Sequence, residues 1–223
     1  MHRIPLALVI PFGIAVAQVP EHPVDVRLSA GYAWFSPGEL NRTLTLVGHP
    51  EINGGITAHA EIGYFLTPQL SLNIGAGYLH GSSAGSLAVT GPTGPTILGW
   101  ADETYSTTDI PIDLGIRYHF LASGEFDLAA GASGEIHLTS VKYRLESTSD
   151  SPGWDESRSK TGIGLRLSLA SEYALTHSLS VTVDVGYRLA DIKDINGEPG
   201  FLPARLGLDL SRPYAMAGVI CRL

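Results

Sequence analysis

Charge is scarce in this chain: Asp, Glu, Lys and Arg make up 16% of its 223 residues, against roughly a quarter in ordinary water-soluble proteins. A fold that turned its whole surface to water would be under-supplied. Cysteine is nearly absent, with Cys221 alone, which excludes an intramolecular disulfide framework and any Cys-rich metal site. Basic residues are the minority and the formal net charge is −8, so there is no electrostatic footprint for nucleic acid. Long apolar runs are missing as well, because no later segment is uniformly apolar for the ~18 residues that suggest a spanning helix. Membrane entry is therefore left to a closed barrel of strands.

The opening residues read as an export signal. Arg3 supplies the positive start, Ile4 to Ile14 a short apolar stretch, and Ala15-Val16-Ala17 small residues for cleavage before Gln18; the expectation is a cleaved segment 1–17 and a single domain over 18–223.

What is abundant is alternation with a period of two, the signature of strands. Val24, Val26, Leu28, Ala30, Tyr32 and Trp34 form one set against Asp25, Arg27, Ser29 and Gly31. The same scheme returns over 56–66, 70–78, 109–120, 126–138, 163–175 and 179–188, and less clearly over 206–223, giving eight strands. Pro111 lacks a ladder donor and is expected near the outer end of its strand. Connections alternate too: Thr67-Pro68-Gln69, Ala122 to Glu125 and Thr176-His177-Ser178 are short, whereas 36–54, 80–107, 146–160 and 190–205 read as long loops. Short turns at one end and long loops at the other are the pattern of an all-β, eight-stranded antiparallel up-and-down transmembrane barrel.

Two hairpins echo each other, with Leu66-Thr67 before Leu70-Ser71-Leu72 and Leu175-Thr176 before Leu179-Ser180-Val181, and a tyrosine at each end. Aromatics at strand ends on the apolar face suit two interfacial belts. Tyr64, Tyr118, Phe120, Phe126 and Tyr173 fall on the turn side, and Tyr32, Trp34, Tyr78 and Tyr187 on the loop side.

A soluble barrel would show the same alternation with its apolar face inward. The polar set decides the matter, because it is full of glycine: Gly31, Gly63, Gly75, Gly77, Gly115, Gly131, Gly164 and Gly186. Glycine weakens a solvated strand for no gain, yet relieves crowding inside a narrow barrel. The same set carries Arg27, Glu61, Asp113, Arg117, Glu135, Arg166, Asp184 and Arg188. Enclosed charges of both signs are expected to pair into a structural network. The apolar face is thus assigned to lipid and the polar face to a lumen filled by side chains.

With its signal segment, Gly-Tyr strand ends, Leu-Thr-x-x-Leu-Ser turns and the ending Gly218-Val219-Ile220-Cys221-Arg222-Leu223, the chain resembles the eight-stranded outer-membrane barrels of Gram-negative bacteria, typified by the OmpA membrane domain, OmpX and OmpW. The resemblance spans the whole mature chain. It implies outer-membrane location, outer-membrane lipids as surroundings and insertion by the barrel-assembly machinery. Family members usually end in an aromatic residue with another two before it; here those places hold Leu223 and Cys221.

Chemistry beyond a scaffold has few candidates. Glu135, His137, Thr139 and Ser140 put an acid, a base and hydroxyls near one strand end, as a lipid-modifying enzyme needs. Asp191, Asp194, Asn196 and Glu198 offer oxygens for calcium in a segment that lacks the spacing of a calcium loop. Trp154 in the acidic stretch 146–156 offers a contact for an extracellular ligand. The expectation is no catalytic, cofactor or metal site, and a non-enzymatic barrel serving envelope integrity or external display. A narrow solute channel is the first alternative and a lipid-modifying enzyme the second.

Overall fold

The computed structural model describes residues 23–46, 48–90, 97–123, 125–147, 153–195, 202 and 206–223; the expected signal segment lies outside them. Period-two alternation yields long strands: β1 (Val24–Ala33), β2 (Gly55–Thr67), β3 (Leu70–Thr90), β4 (Ile97–Ser123), β5 (Phe126–Ser147), β6 (Trp154–Ala174), β7 (Leu179–Ile192), β8 (Leu208–Asp209) and β9 (Arg212–Arg222), with one helix, α1 (Gly38–Leu46), after β1. Each long strand pairs antiparallel with the next. The ring closes because β9 pairs with both β1 and β7, so that eight strands leave no free edge at membrane level. The two-residue β8 is an outlying bridge to the end of β7.

The turn-side end is built as the sequence echo implies. Thr67 Oγ1 accepts from the Gln69 amide at 3.2 Å, and Thr176 Oγ1 from the Ser178 and Leu179 amides at 3.3 and 3.1 Å. A threonine thus satisfies the open backbone of both turns.

The apolar set faces outward all round the ring. Ile62, Ile74, Leu114, Ile136, Leu169 and Val183 are each more than half exposed in the isolated chain, which is tolerable only against hydrocarbon. Belt residues lie at the two rims: Tyr64 pairs with Val24 and Phe126 with Tyr173 at the turn end, while Tyr32 meets Trp34 edge-on at 5.3 Å at the loop end. Lumen glycines make room for large polar groups. A Cβ at Gly75 would lie 2.7 Å from the His59 ring, and one at Gly164 would lie 2.6 Å from His137 Nε2.

Three loop expectations are corrected. Most of 80–107 is strand, since β3 runs to Thr90 and β4 begins at Ile97. Much of 146–160 is strand too, with β5 ending at Ser147 and β6 starting at Trp154. The reason is a phase inversion. At membrane level Ile136 and Leu138 point out, but farther along β5 it is Val141 and Tyr143 that are buried inside while Ser140, Lys142 and Arg144 face out. The same switch occurs from Trp34 to Phe35, from Tyr78 to Leu79 and from Leu189 to Ala190. Lipid demands apolar-out below this level and water demands apolar-in above it, so the alternation slips by one and mimics a loop. Pro111, expected near a strand end, lies well inside the 27-residue β4. It does sit at the edge of the apolar band, next to Ile110, and ladder pairs with β3 are missing between Ala76↔Ile112 and Leu79↔Asp109.

The third correction is 36–54, which folds inward as a cap. In α1, Leu40 and Leu44 lie one turn apart on one face and are fully buried. The Asn41 side chain donates to Ile52 O and accepts from Ile52 N, both at 2.9 Å, pinning the return segment to the helix. Gly48 ends the turn with a left-handed φ of 79°. Together with Phe35, Ile52, Tyr105, Val141, Tyr143, Ile192, Ile195, Leu202, Leu206, Leu208 and Leu210, these leucines form the protein's one apolar core among the described residues, above the membrane and across the barrel mouth.

Candidate functional site

Every sequence-predicted lumen charge is buried inside the ring, and the strands bring most of them together. Arg166, from the middle of β6, is the hub. Its Nη2 donates to Asp113 Oδ1 at 2.8 Å and Glu61 Oε2 at 3.1 Å, and its Nε to Ser133 Oγ at 3.2 Å. Arg188 grips Glu135 with Nε at 2.8 Å and Nη2 at 3.1 Å. Arg117 Nη1 lies 2.8 Å from Glu61 and its Nη2 3.9 Å from Asp184. Arg27 Nη2 donates to Glu172 at 2.6 Å. Arg166, Arg188 and Arg27 are both paired and hydrogen-bonded, the condition under which ions survive burial, whereas Arg117 is held by charge alone, its Nε and Nη1 and the Asp184 Oδ1 having no hydrogen-bond partner among the described residues.

Histidines complete the network, and they were not singled out as members by sequence reasoning. His59 Nε2 is 2.7 Å from Asp113, His119 Nδ1 is 2.6 Å from Asp127, and His137 Nδ1 is 2.8 Å from Asp109. Glu172 and Arg222, which the sequence already places in the charged inward set, join the network, and so does Asp109. Their signal was present, for all of them share the inward parity of their strands. Between Glu61, Asn73, Asp113, Arg117, Ser133 and Arg166 the remaining cavity is about 10 Å³, room for about one water.

The catalytic constellation does not assemble. Glu135, His137 and Thr139 share the lumen face, where Thr139 Oγ1 donates to Asp109 Oδ1 at 2.7 Å. His137 is fully buried, with Nδ1 toward Asp109 and Nε2 3.3 Å from Glu135. Ser140 lies on the opposite, outer face against Ser157. No hydroxyl nucleophile is therefore paired with the imidazole among the described residues, and the apolar cap stands between it and the outside.

Two groups among the described residues are compact enough to hold a metal ion: His59 with Glu61 and Asp113, and His119 with Asp127 and Glu172. In the first, Arg166 already bridges both carboxylates. In the second, Glu172 is shared by Arg27 and Arg222 at 2.6 and 3.2 Å. Guanidinium thus stands where a cation would. Of the calcium candidates, Asp191 pairs with Lys193 at 3.1 Å and Asp194 offers its carbonyl to Lys160 at 3.2 Å, while Asn196 and Glu198 lie outside the described residues. Trp154 begins β6 and is half exposed.

At the outer end a second polar cluster joins the cap to the wall. His49 Nε2 lies 2.8 Å from Glu103, whose other oxygen accepts from the Tyr143 hydroxyl at 2.7 Å. Glu39 Oε2 accepts from the Gly207 amide at 2.6 Å, tying α1 to the segment before β8.

An eight-stranded ring with an apolar exterior and a charged, filled interior defines a transmembrane barrel of the outer-membrane kind. The chain belongs to the outer membrane protein beta-barrel domain family, whose model matches residues 4–210, and this supports a place in the outer membrane. Among solved structures it is similar to OprG from Pseudomonas aeruginosa, at 14% identity over 91% of this chain and 97% of that one, with a TM-score of 0.55. Neisserial surface protein A is similar at 16% identity over 90% and 97% of the two chains, with a TM-score of 0.54. These likenesses carry the fold. No curated protein matches the sequence.

Proposed function

We propose that this protein is a closed, non-enzymatic barrel that reinforces the envelope and holds an ordered platform above the membrane. The observation that carries the reading is the double closure of the lumen. The membrane-level interior is crossed by the Arg166, Arg188, Arg117 and Arg27 ion pairs, and the outer mouth is filled by the apolar core around Leu40, Leu44 and Ile52. A diffusing solute would need to part buried charge pairs and then an apolar plug. Alongside the plug, to which they contribute Tyr105, Val141 and Tyr143, the extensions of β3, β4, β5 and β6 remain hydrogen-bonded as a four-stranded sheet. An interaction surface on such a support is preorganised and spares the ordering entropy of a flexible loop.

A swelling assay on vesicles carrying the refolded protein tests closure. Iso-osmotic sugar or amino-acid solutions should enter no faster than into empty vesicles. Entry that scales with the amount of folded barrel would replace this reading with the solute-channel alternative.

A further inference from the structure

The outer wall of β3 to β6 changes character in successive register rows just beyond the lipid-facing band. The register aligns Ile110 and Leu138 as the last apolar row. The row above joins His80, Thr108, Ser140 and Ser159, and the next joins Ser82, Ser106, Lys142 and Ser157. Lys142 is therefore the first charge met on this face on leaving the hydrocarbon, and hydroxyls stand directly opposite it on both neighbouring strands. It makes no ion pair among the described residues, whereas Arg144, one row higher, faces Asp155 at 3.6 Å and Glu146 at 3.8 Å. Acids on this face appear only in the rows beyond Lys142.

Depth supports the same conclusion. Lys142 is four residues beyond Leu138 along β5; at ~3.4 Å per residue and a tilt of about 45° its Cα stands roughly 10 Å above the apolar band. The headgroup zone extends ~5–8 Å past the hydrocarbon on each side, and a lysine stem easily spans the difference by snorkelling. The rim is continuous with the lipid-facing surface, and its charge is opposite to that of a phosphate.

The geometry points to a docking surface for the phosphate of an anionic lipid of the outer leaflet, formed by Lys142 with the Ser106, Ser140, Ser157 and Ser159 hydroxyls. Lysine supplies the charge and the hydroxyls donate to phosphate oxygens, while Leu138 and Ile110 lie against the acyl chain. The surface lies outside the ring, so it stands or falls independently of the closed lumen.

Native mass spectrometry of the refolded barrel in detergent, titrated with phosphatidylglycerol or phosphatidylcholine, provides the test. Lys142→Gln should weaken phosphatidylglycerol binding about fivefold, the loss expected for one lysine at an anionic surface, and leave phosphatidylcholine unchanged. Lys142→Arg should retain the wild-type preference. Lys142 is exposed and unpaired, and a boiling-dependent gel shift verifies that each variant is folded. Equal phosphatidylglycerol binding by wild type and Lys142→Gln overturns the assignment, as does Lys142-dependent binding of inorganic phosphate with no lipid preference.

Discussion

Replacing Arg166 with methionine removes the hub of the lumen and keeps much of its volume. The guanidinium gives up charge-assisted bonds to Asp113 at 2.8 Å and Glu61 at 3.1 Å, a bond to Ser133 at 3.2 Å, and a looser pairing with Glu135 at 3.8 Å. Its partners are not equally stranded. Glu61 keeps Arg117 at 2.8 Å and Glu135 keeps Arg188, but Asp113 is left with His59 alone. Two charge-assisted bonds at about 1.5–3 kcal/mol each set the scale, so we expect a loss of about 3–5 kcal/mol, in the range for breaking a buried pair. Urea titration in vesicles, read by the boiling-dependent gel shift, measures it. Adding Asp113→Asn removes the stranded charge and keeps an acceptor for His59, so the double variant should recover about 1–2 kcal/mol, a coupling ordinary for contacting residues. A loss below about 1 kcal/mol in Arg166→Met, or no coupling with Asp113→Asn, would refute the view that the network holds the barrel together.

Arginine at Ile74 or Val183, both at the centre of lipid-facing runs, should cost ~2–4 kcal/mol in the same titration, against ~0–1 for Thr161→Arg at the rim; equal costs would break the facing assignment. Cys221 is exposed on the lipid side of β9, so a membrane-impermeant maleimide should leave the vesicle-bound protein unmodified and label it fully in urea. Rapid labelling of the folded barrel would place that strand face in water. Leu44→Ala removes a fully buried side chain from the cap and should destabilise it by about 2 kcal/mol or more, read as ~30-fold faster amide exchange in α1 while the gel shift persists. Unchanged exchange would mean that the cap does not rest on this core. His137→Ala strips Asp109 and Glu135 of a partner; the expected effect is lower urea resistance with the lipid profile of the membrane unaltered, and a changed lipid profile would instead favour an enzyme.

The membrane-level barrel was legible because lipid and lumen impose opposite polarity on neighbouring residues. Leu72, Ile74 and Ala76 against Ser71, Asn73 and Gly75 spell out a strand and its facing in one line. Above the membrane the solvent changes sides. Val141 and Tyr143 then carry the core at the parity held by His137 and Thr139 below, and a reader who expects constant phase loses the strand. Segments such as 102–109 hide further, because Glu103, Thr107 and Asp109 are polar inside while Asp102, Thr104 and Ser106 are polar outside. The helix escaped notice because Leu40 and Leu44 are its only apolar core contacts in nine residues. Membership of the ion network was readable from parity, but its pairings were not, since Arg27 meets Glu172 across 145 residues of chain. Strand register and barrel closure decide such contacts.

Closure of the lumen by charge pairs below and an apolar cap above is the central claim, and single-channel recording in a planar bilayer addresses it most directly. Refolded protein, shown to be folded by its gel shift on boiling, should insert without discrete conductance steps. Reproducible steps from that same folded material would contradict the account and turn attention to a path past Arg166 and Arg188.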